Sequence, residues 1–156
     1  MDKKIFSIKL KQLRKLNNFT QFNLAQKLAI NIKTYRLYEN PISKNLPSYC
    51  TLIKLSNIYN TSLAFFLLQK EINLSKNHLV IDVQNLKQVF AQNLKHFRKL
   101  NGFSEEQISS LLGVSKRVYQ NYTSPKSTNM PSYDSLVILA DIYQKSIDEF
   151  FHSQSI

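Results

Sequence analysis

The sequence predicts an all-α protein built as two tandem five-helix units joined by a short connector. Three observations predict it. Only 2 glycines and 4 prolines occur in 156 residues, too few for a turn-rich β protein. Apolar residues recur at three- and four-residue spacing, the signature of helices with one buried face. Finally, LKQLRKLNNFT at Leu10–Thr20 returns as LKHFRKLNGFS at Leu94–Ser104, an offset of 84 residues. At the same offset LPSY (Leu46–Tyr49) meets MPSY (Met130–Tyr133), and residues 10–67 align with 94–151 without a gap at 22 identities in 58 positions.

In the first copy, helix 1 is expected to carry Ile5, Ile8, Leu13 and Leu16 on one stripe, with Lys4, Lys11, Arg14 and Lys15 around it. Thr20 offers an oxygen as the cap of helix 2, as Ser104 does in the second copy, where Ser104-x-x-Gln107 is a capping-box pattern. Helix 2 runs to Lys27 or Leu28, and Phe22, Leu24, Ala25 and Leu28 form its expected buried side. After Ala29-Ile30, Asn31 caps helix 3, and Ser115 does so in the second copy. A loop with Pro41 and Pro47 leads to Ser48, the cap of helix 4, whose Leu52, Leu55 and Ile58 sit at helical spacing. A last short helix holds Leu63 and Phe66. These assignments place the domains at 1–68 and 86–156, with a connector at 69–85. The apolar run Leu79–Ile81 inside that connector suits either a small strand or a docking segment.

Charge narrows the function. The formal net charge of +11 points to polyanionic partners, either nucleic acid or an anionic membrane surface. The longest apolar run, Leu63–Leu68, is far short of the roughly 18 residues that a membrane span needs. The lysine-bearing N-terminus does not read as a signal peptide, because Lys9 and Lys11 cut its apolar stretch. A lone cysteine, Cys50, excludes a disulfide framework and a cysteine-based zinc site and suits a reducing compartment. His78, His96 and His152 lack metal-ligand spacing. No glycine-rich phosphate loop or nucleophile–base pair is present, so neither an enzyme nor a cofactor is expected. The expected location is the cytoplasm, and the abundance of asparagine and lysine suggests an AT-rich bacterial or mobile-element genome.

Helix 3 has two unlike sides. At about 100° per residue, Thr34, Tyr35 and Tyr38 share one side and Ile32, Lys33, Arg36 and Leu37 the other. In the second copy Val118, Tyr119 and Tyr122 oppose Lys116, Arg117, Gln120 and Asn121. The tyrosines are expected in the core with hydroxyls at its rim. A tight turn followed by a helix with a projecting cationic face suits a major groove, where Lys and Arg bond guanine, Gln or Asn pairs with adenine, and apolar groups meet thymine methyls. RNA fits less well, because an A-form groove resists helix insertion.

The ordered string Thr20-Gln21, Leu24-Ala25, Leu28-Ala29-Ile30-Asn31, Tyr38-Glu39-Asn40, Pro47-Ser48, Leu52, Leu55, Ser62-Leu63 and Phe66 resembles the phage-repressor-type (Xre-like, lambda-repressor-like) helix-turn-helix family. The resemblance implies two tandem five-helix domains of a DNA-binding regulator of transcription, more in keeping with a repressor than an activator, and usually a dimer. It also implies roles. Gln21 would contact a phosphate and brace the reading helix, and Asn31, Ile32, Lys33 and Leu37 would face base edges. Arg36 would meet bases or backbone, and Asn40 with the Lys44-Asn45 loop would approach the other strand. Arg14 and Glu39 match a family pair that ties helix 1 to the end of helix 3. Lys11, repeated as Lys95, is a further candidate for the backbone.

The copies differ. Residues 1–78 hold 13 Lys/Arg against 3 Asp/Glu, for +10, and residues 79–156 hold 8 against 7, for +1. Glu105 and Glu106 stand where the first copy has Gln21 and Phe22, and carboxylates at a helix N-terminus repel phosphate. Thr123 replaces Glu39, which is expected to leave Arg98 without the partner Arg14 has. Against that, Ser115, Lys116, Arg117, Gln120 and Asn121 form a rich set of hydrogen-bonding candidates for bases. Two readings stay open. Both copies touch double-stranded DNA, the connector of about 17 residues reaching over about 50 Å against about 34 Å between successive groove faces. Alternatively, the second copy is a dimerisation module or binds a small effector or peptide that controls the first.

Overall fold

The computed structural model describes residues 1–68, 81 and 83–153, and all regular structure among them is helical. The chain divides into two compact units, Met1–Val80 and Ile81–Ile156. Of the expected strand or docking segment, Leu79 and Val80 lie outside the described residues, and Ile81 is buried. None of the described helices is long and apolar enough to cross a membrane.

The first unit contains α1 (Lys3–Leu16), α2 (Gln21–Leu28), α3 (Ile32–Glu39), α4 (Tyr49–Tyr59) and α5 (Leu63–Leu67). Side-chain caps begin each of them. Asp2, Thr20, Asn31, Ser48 and Ser62 accept from backbone N–H groups of the first turns, which would otherwise lack partners. Thr20 and Asn23 make a reciprocal capping box. Between α2 and α3, Ala29 takes a left-handed conformation at φ 55°, and Ile30 N–H donates to the Ala25 carbonyl at 3.0 Å, closing the turn that aims α3.

The second unit contains α6 (Leu86–Leu100), α7 (Glu105–Leu111), α8 (Lys116–Thr123) and α9 (Tyr133–Tyr143). It closes with a 3-10 turn at Asp148–Phe150, where the repeat leads one to expect a fifth α-helix. Glu149 lies within this turn. Its carboxylate accepts from Ser146 N–H at 2.7 Å and from Lys145 at 3.1 Å, and the backbone bonds there span three residues. Ser104 with Gln107 forms the expected capping box on α7, and Ser115 caps α8.

The core of the first unit joins Phe6, Leu10 and Leu13 of α1 to Leu24 and Leu28, Tyr35, Leu52 and Leu55, and Phe66. Each such fully buried side chain is worth about 1.5–3 kcal/mol. This corrects the expected stripe on α1. Ile8 is 46% and Leu16 76% exposed, and Ile5 is only half-buried. The helix buries residues 6, 10 and 13, a true four-then-three spacing, and Ile8 projects from another side. Phe22 is likewise corrected: it is 55% exposed, because two residues place it roughly 200° around α2 from buried Leu24.

At the turn's left-handed position the second unit has Gly113 at φ 65°, with nothing near a would-be Cβ. An alanine there carries a steric cost of roughly 1–2 kcal/mol that glycine escapes, part of which glycine loses again through its freer unfolded chain. Ala29→Gly is therefore expected to stabilise the first unit by about 1 kcal/mol in urea unfolding. A loss of stability would contradict this account of the turn.

Candidate nucleic-acid interface

The outer face of α3 is open. Lys33, Arg36 and Leu37 are exposed, Ile32 is half-buried, and Tyr35 and Tyr38 are buried behind them. Asn31 is exposed, and its Oδ1 caps the helix by accepting from Lys33 N–H at 2.8 Å. In the following loop Asn40 Oδ1 accepts from Ile42 N–H at 3.0 Å, and Ile42 and Lys44 project into solvent. Lys11 is exposed on α1.

A buried carboxylate fixes this helix. Glu39, 8% exposed, accepts four hydrogen bonds. Arg14 donates from Nε to Oε1 at 2.5 Å and from Nη2 to Oε2 at 3.0 Å. Tyr35 donates to Oε1 at 2.9 Å, and Gln21 Nε2 to Oε2 at 3.0 Å. The end of α3 is thereby tied to α1, to the start of α2 and to its own preceding turn. Burial pushes the Glu39 carboxyl up, but the bonds from Arg14, Gln21 and Tyr35 outweigh it and hold it below the usual carboxylate range. Burial also pushes the Tyr35 hydroxyl well above its ordinary value, so it stays a donor.

Three anchors were not read from the sequence. Lys3 Nζ donates to the carbonyls of Leu37 at 3.0 Å and Tyr38 at 2.5 Å, and Lys87 Nζ donates to those of Asn121, Tyr122 and Asn129 at 2.7–3.1 Å. Each lysine meets the last carbonyls of α3 or α8, where a helix favours positive charge. Burial pulls the Lys87 amine down to about 8. Lys9 does the same for the end of α5, donating to Phe65 and Leu68 carbonyls at 2.8 and 2.9 Å. Extending the 84-residue offset upstream pairs Lys3 with Lys87, the one signal that both are placed by the fold.

On α8, Lys116, Arg117 and Gln120 are exposed, Asn121 is half-buried, and Tyr119 and Tyr122 are buried. Here the arrangement departs from α3. Lys116 pairs with Glu106, and Gln120 Nε2 donates to Glu105 Oε2 at 2.9 Å. The Lys116 ammonium holds the Glu106 carboxyl below its usual range. Arg98 lacks the partner Arg14 has, as expected from Thr123, but another carboxylate approaches it: its Nη2 lies 3.9 Å from Glu105 Oε1, and Nη1 donates to the Phe103 carbonyl at 2.9 Å. The carboxylate has moved from the end of the second helix-turn-helix segment to its beginning. The replacement is incomplete, since among the described residues the buried Arg98 Nε has no hydrogen-bond partner, where Arg14 Nε has Glu39.

Residues 94–150 match the model of the helix-turn-helix family. The chain is 43% identical over 63 residues to the "Uncharacterized HTH-type transcriptional regulator YqaE" of Bacillus subtilis (strain 168), a match covering 40% of this chain and 53% of that protein. It is 33% identical over 60 residues to the "Uncharacterized HTH-type transcriptional regulator YobD" of the same organism, covering 38% and 52%. The chain thus spans about half the length of the curated relatives it matches. No solved structure matches it. By sequence match and by its α7–turn–α8 geometry alike, the segment 94–150 is similar to the helix-turn-helix family.

Proposed function

We propose that the protein is a sequence-specific, double-stranded-DNA-binding regulator of transcription, a repressor, in which α3 of the first unit reads the major groove. The observation that carries this reading is the outer face of α3: Lys33, Arg36 and Leu37 stand clear of the protein while Tyr35 and the Glu39 network lock the helix from behind. A reader must be rigid, because any slack in the helix spreads its donors over several bases. Lys33 and Arg36 supply donors for guanine O6 and N7, and Leu37 an apolar contact for a thymine methyl. On this reading Lys11, Lys44 and Gln21 contact the DNA backbone. The charge of residues 1–78, +10, supplies the attraction to phosphate. The names of the two Bacillus relatives support the regulatory role.

Equilibrium binding tests this. The 156-residue chain is expected to hold a duplex enriched from a random pool at least about 10³-fold more tightly than random duplex at the same salt. Equal affinity for both would overturn the reading.

A further inference from the structure

The two reading helices are not equally free to meet DNA. On α3 the cationic side chains face solvent, and the start of α2 beside them carries uncharged Gln21 and Phe22. On α8 two of the four outward side chains are already engaged from within the unit: Lys116 by Glu106, and Gln120 by Glu105 at 2.9 Å. These carboxylates stand in the first turn of α7, the end of a helix to which a phosphate would be drawn. They also offer α8 the anionic oxygens that DNA would offer. Resting on the DNA-binding reading above, we propose that Glu105 and Glu106 act as built-in substitutes for phosphate that keep the second unit off DNA, so that each chain grips a duplex through its first unit alone.

The consequence is specific. A chain with two reading helices recognises one half-site, and any longer operator is covered by more than one chain. Of the outward set on α8, only Arg117 and Asn121 remain without a carboxylate partner among the described residues. The pairs are at the surface, where each is individually weak. Their effect on DNA is larger than their effect on the fold, because the same two charges both hold the readers and repel the backbone.

The test compares the whole wild-type chain with Glu105→Gln/Glu106→Gln on duplexes carrying one and two copies of the selected sequence. The double variant is expected to bind the two-copy duplex roughly tenfold more tightly, with a salt slope steeper by about 2, as for two added phosphate contacts. Adding Arg117→Ala is expected to reverse that gain. Glu105 also lies near Arg98, so Glu106→Gln alone, whose side chain bonds Lys116 at the surface, serves as a second variant and is expected to show part of the gain. Asp134→Asn/Asp141→Asn adds the same charge elsewhere in the unit. No gain in either glutamine variant, an equal gain in the asparagine control, or a gain that Arg117→Ala leaves intact would overturn the proposal while the DNA reading stood. Failure of every form, wild type included, to prefer the selected sequence would overturn the reading itself.

Discussion

Glu39→Ala is expected to destabilise the first unit by about 2–4 kcal/mol. Removing one partner of a sealed ion pair costs about 3–5 kcal/mol, because the other charge is left buried and unanswered. Arg14 keeps 14% exposure, so water at its edge relieves part of that cost. The substitution also strips Gln21 and the buried Tyr35 hydroxyl of their acceptor. Urea unfolding followed through the amide signals of α3 reads the effect. The same group sets an acid limit. Its folded pKa lies below the unfolded value of about 4.3, so its contribution is present in full at neutral pH and fades as pH falls through the folded value. In Glu39→Gln that part of the acid dependence is expected to vanish. Unchanged stability in the alanine variant would show that packing alone holds α3.

The second large effect is on binding. Lys33→Ala with Arg36→Ala is expected to weaken the selected duplex by about 2–6 kcal/mol, since one base-contacting side chain costs about 1–3 kcal/mol. Both side chains are exposed and, among the described residues, their charged ends make no hydrogen bond, so unfolding should move by under about 0.5 kcal/mol. Affinity for random duplex should fall less, as only phosphate attraction is lost there. Loss of the same size on both duplexes would make these residues backbone contacts and not readers.

What could be read in the sequence follows from the range of each interaction. The caps at Thr20, Asn31, Ser48, Ser104 and Ser115 were legible because a cap acts on a backbone group two or three residues away. The burial of the tyrosines of α3 and α8 was legible from the wheel because polar neighbours mark the opposite side, but the hydroxyls of Tyr35 and Tyr119, expected at the rim of the core, are buried as well, where Glu39 and Tyr143 meet them. On α1 the wheel misleads, since Ile5, Phe6, Ile8, Leu10, Leu13 and Leu16 surround the helix and only its partners decide which stripe is buried. The Arg14–Glu39 pair, 25 residues apart, was legible through family resemblance alone. The carbonyl contacts of Lys3, Lys9 and Lys87 were not legible, because nothing local shows that a lysine will reach carbonyls at a helix end. The pairs of Glu105 and Glu106 with α8 cross a turn, so composition showed acidic residues and could not show what they hold.

Methylation interference on the duplex that the 156-residue chain selects tests the placement of α3 most directly. Methyl groups at guanine N7 project into the major groove and those at adenine N3 into the minor groove. The account predicts that N7-methylated guanines within the selected sequence block binding and that N3-methylated adenines there do not. Selection of no sequence, or a block by minor-groove methyls alone, would contradict it.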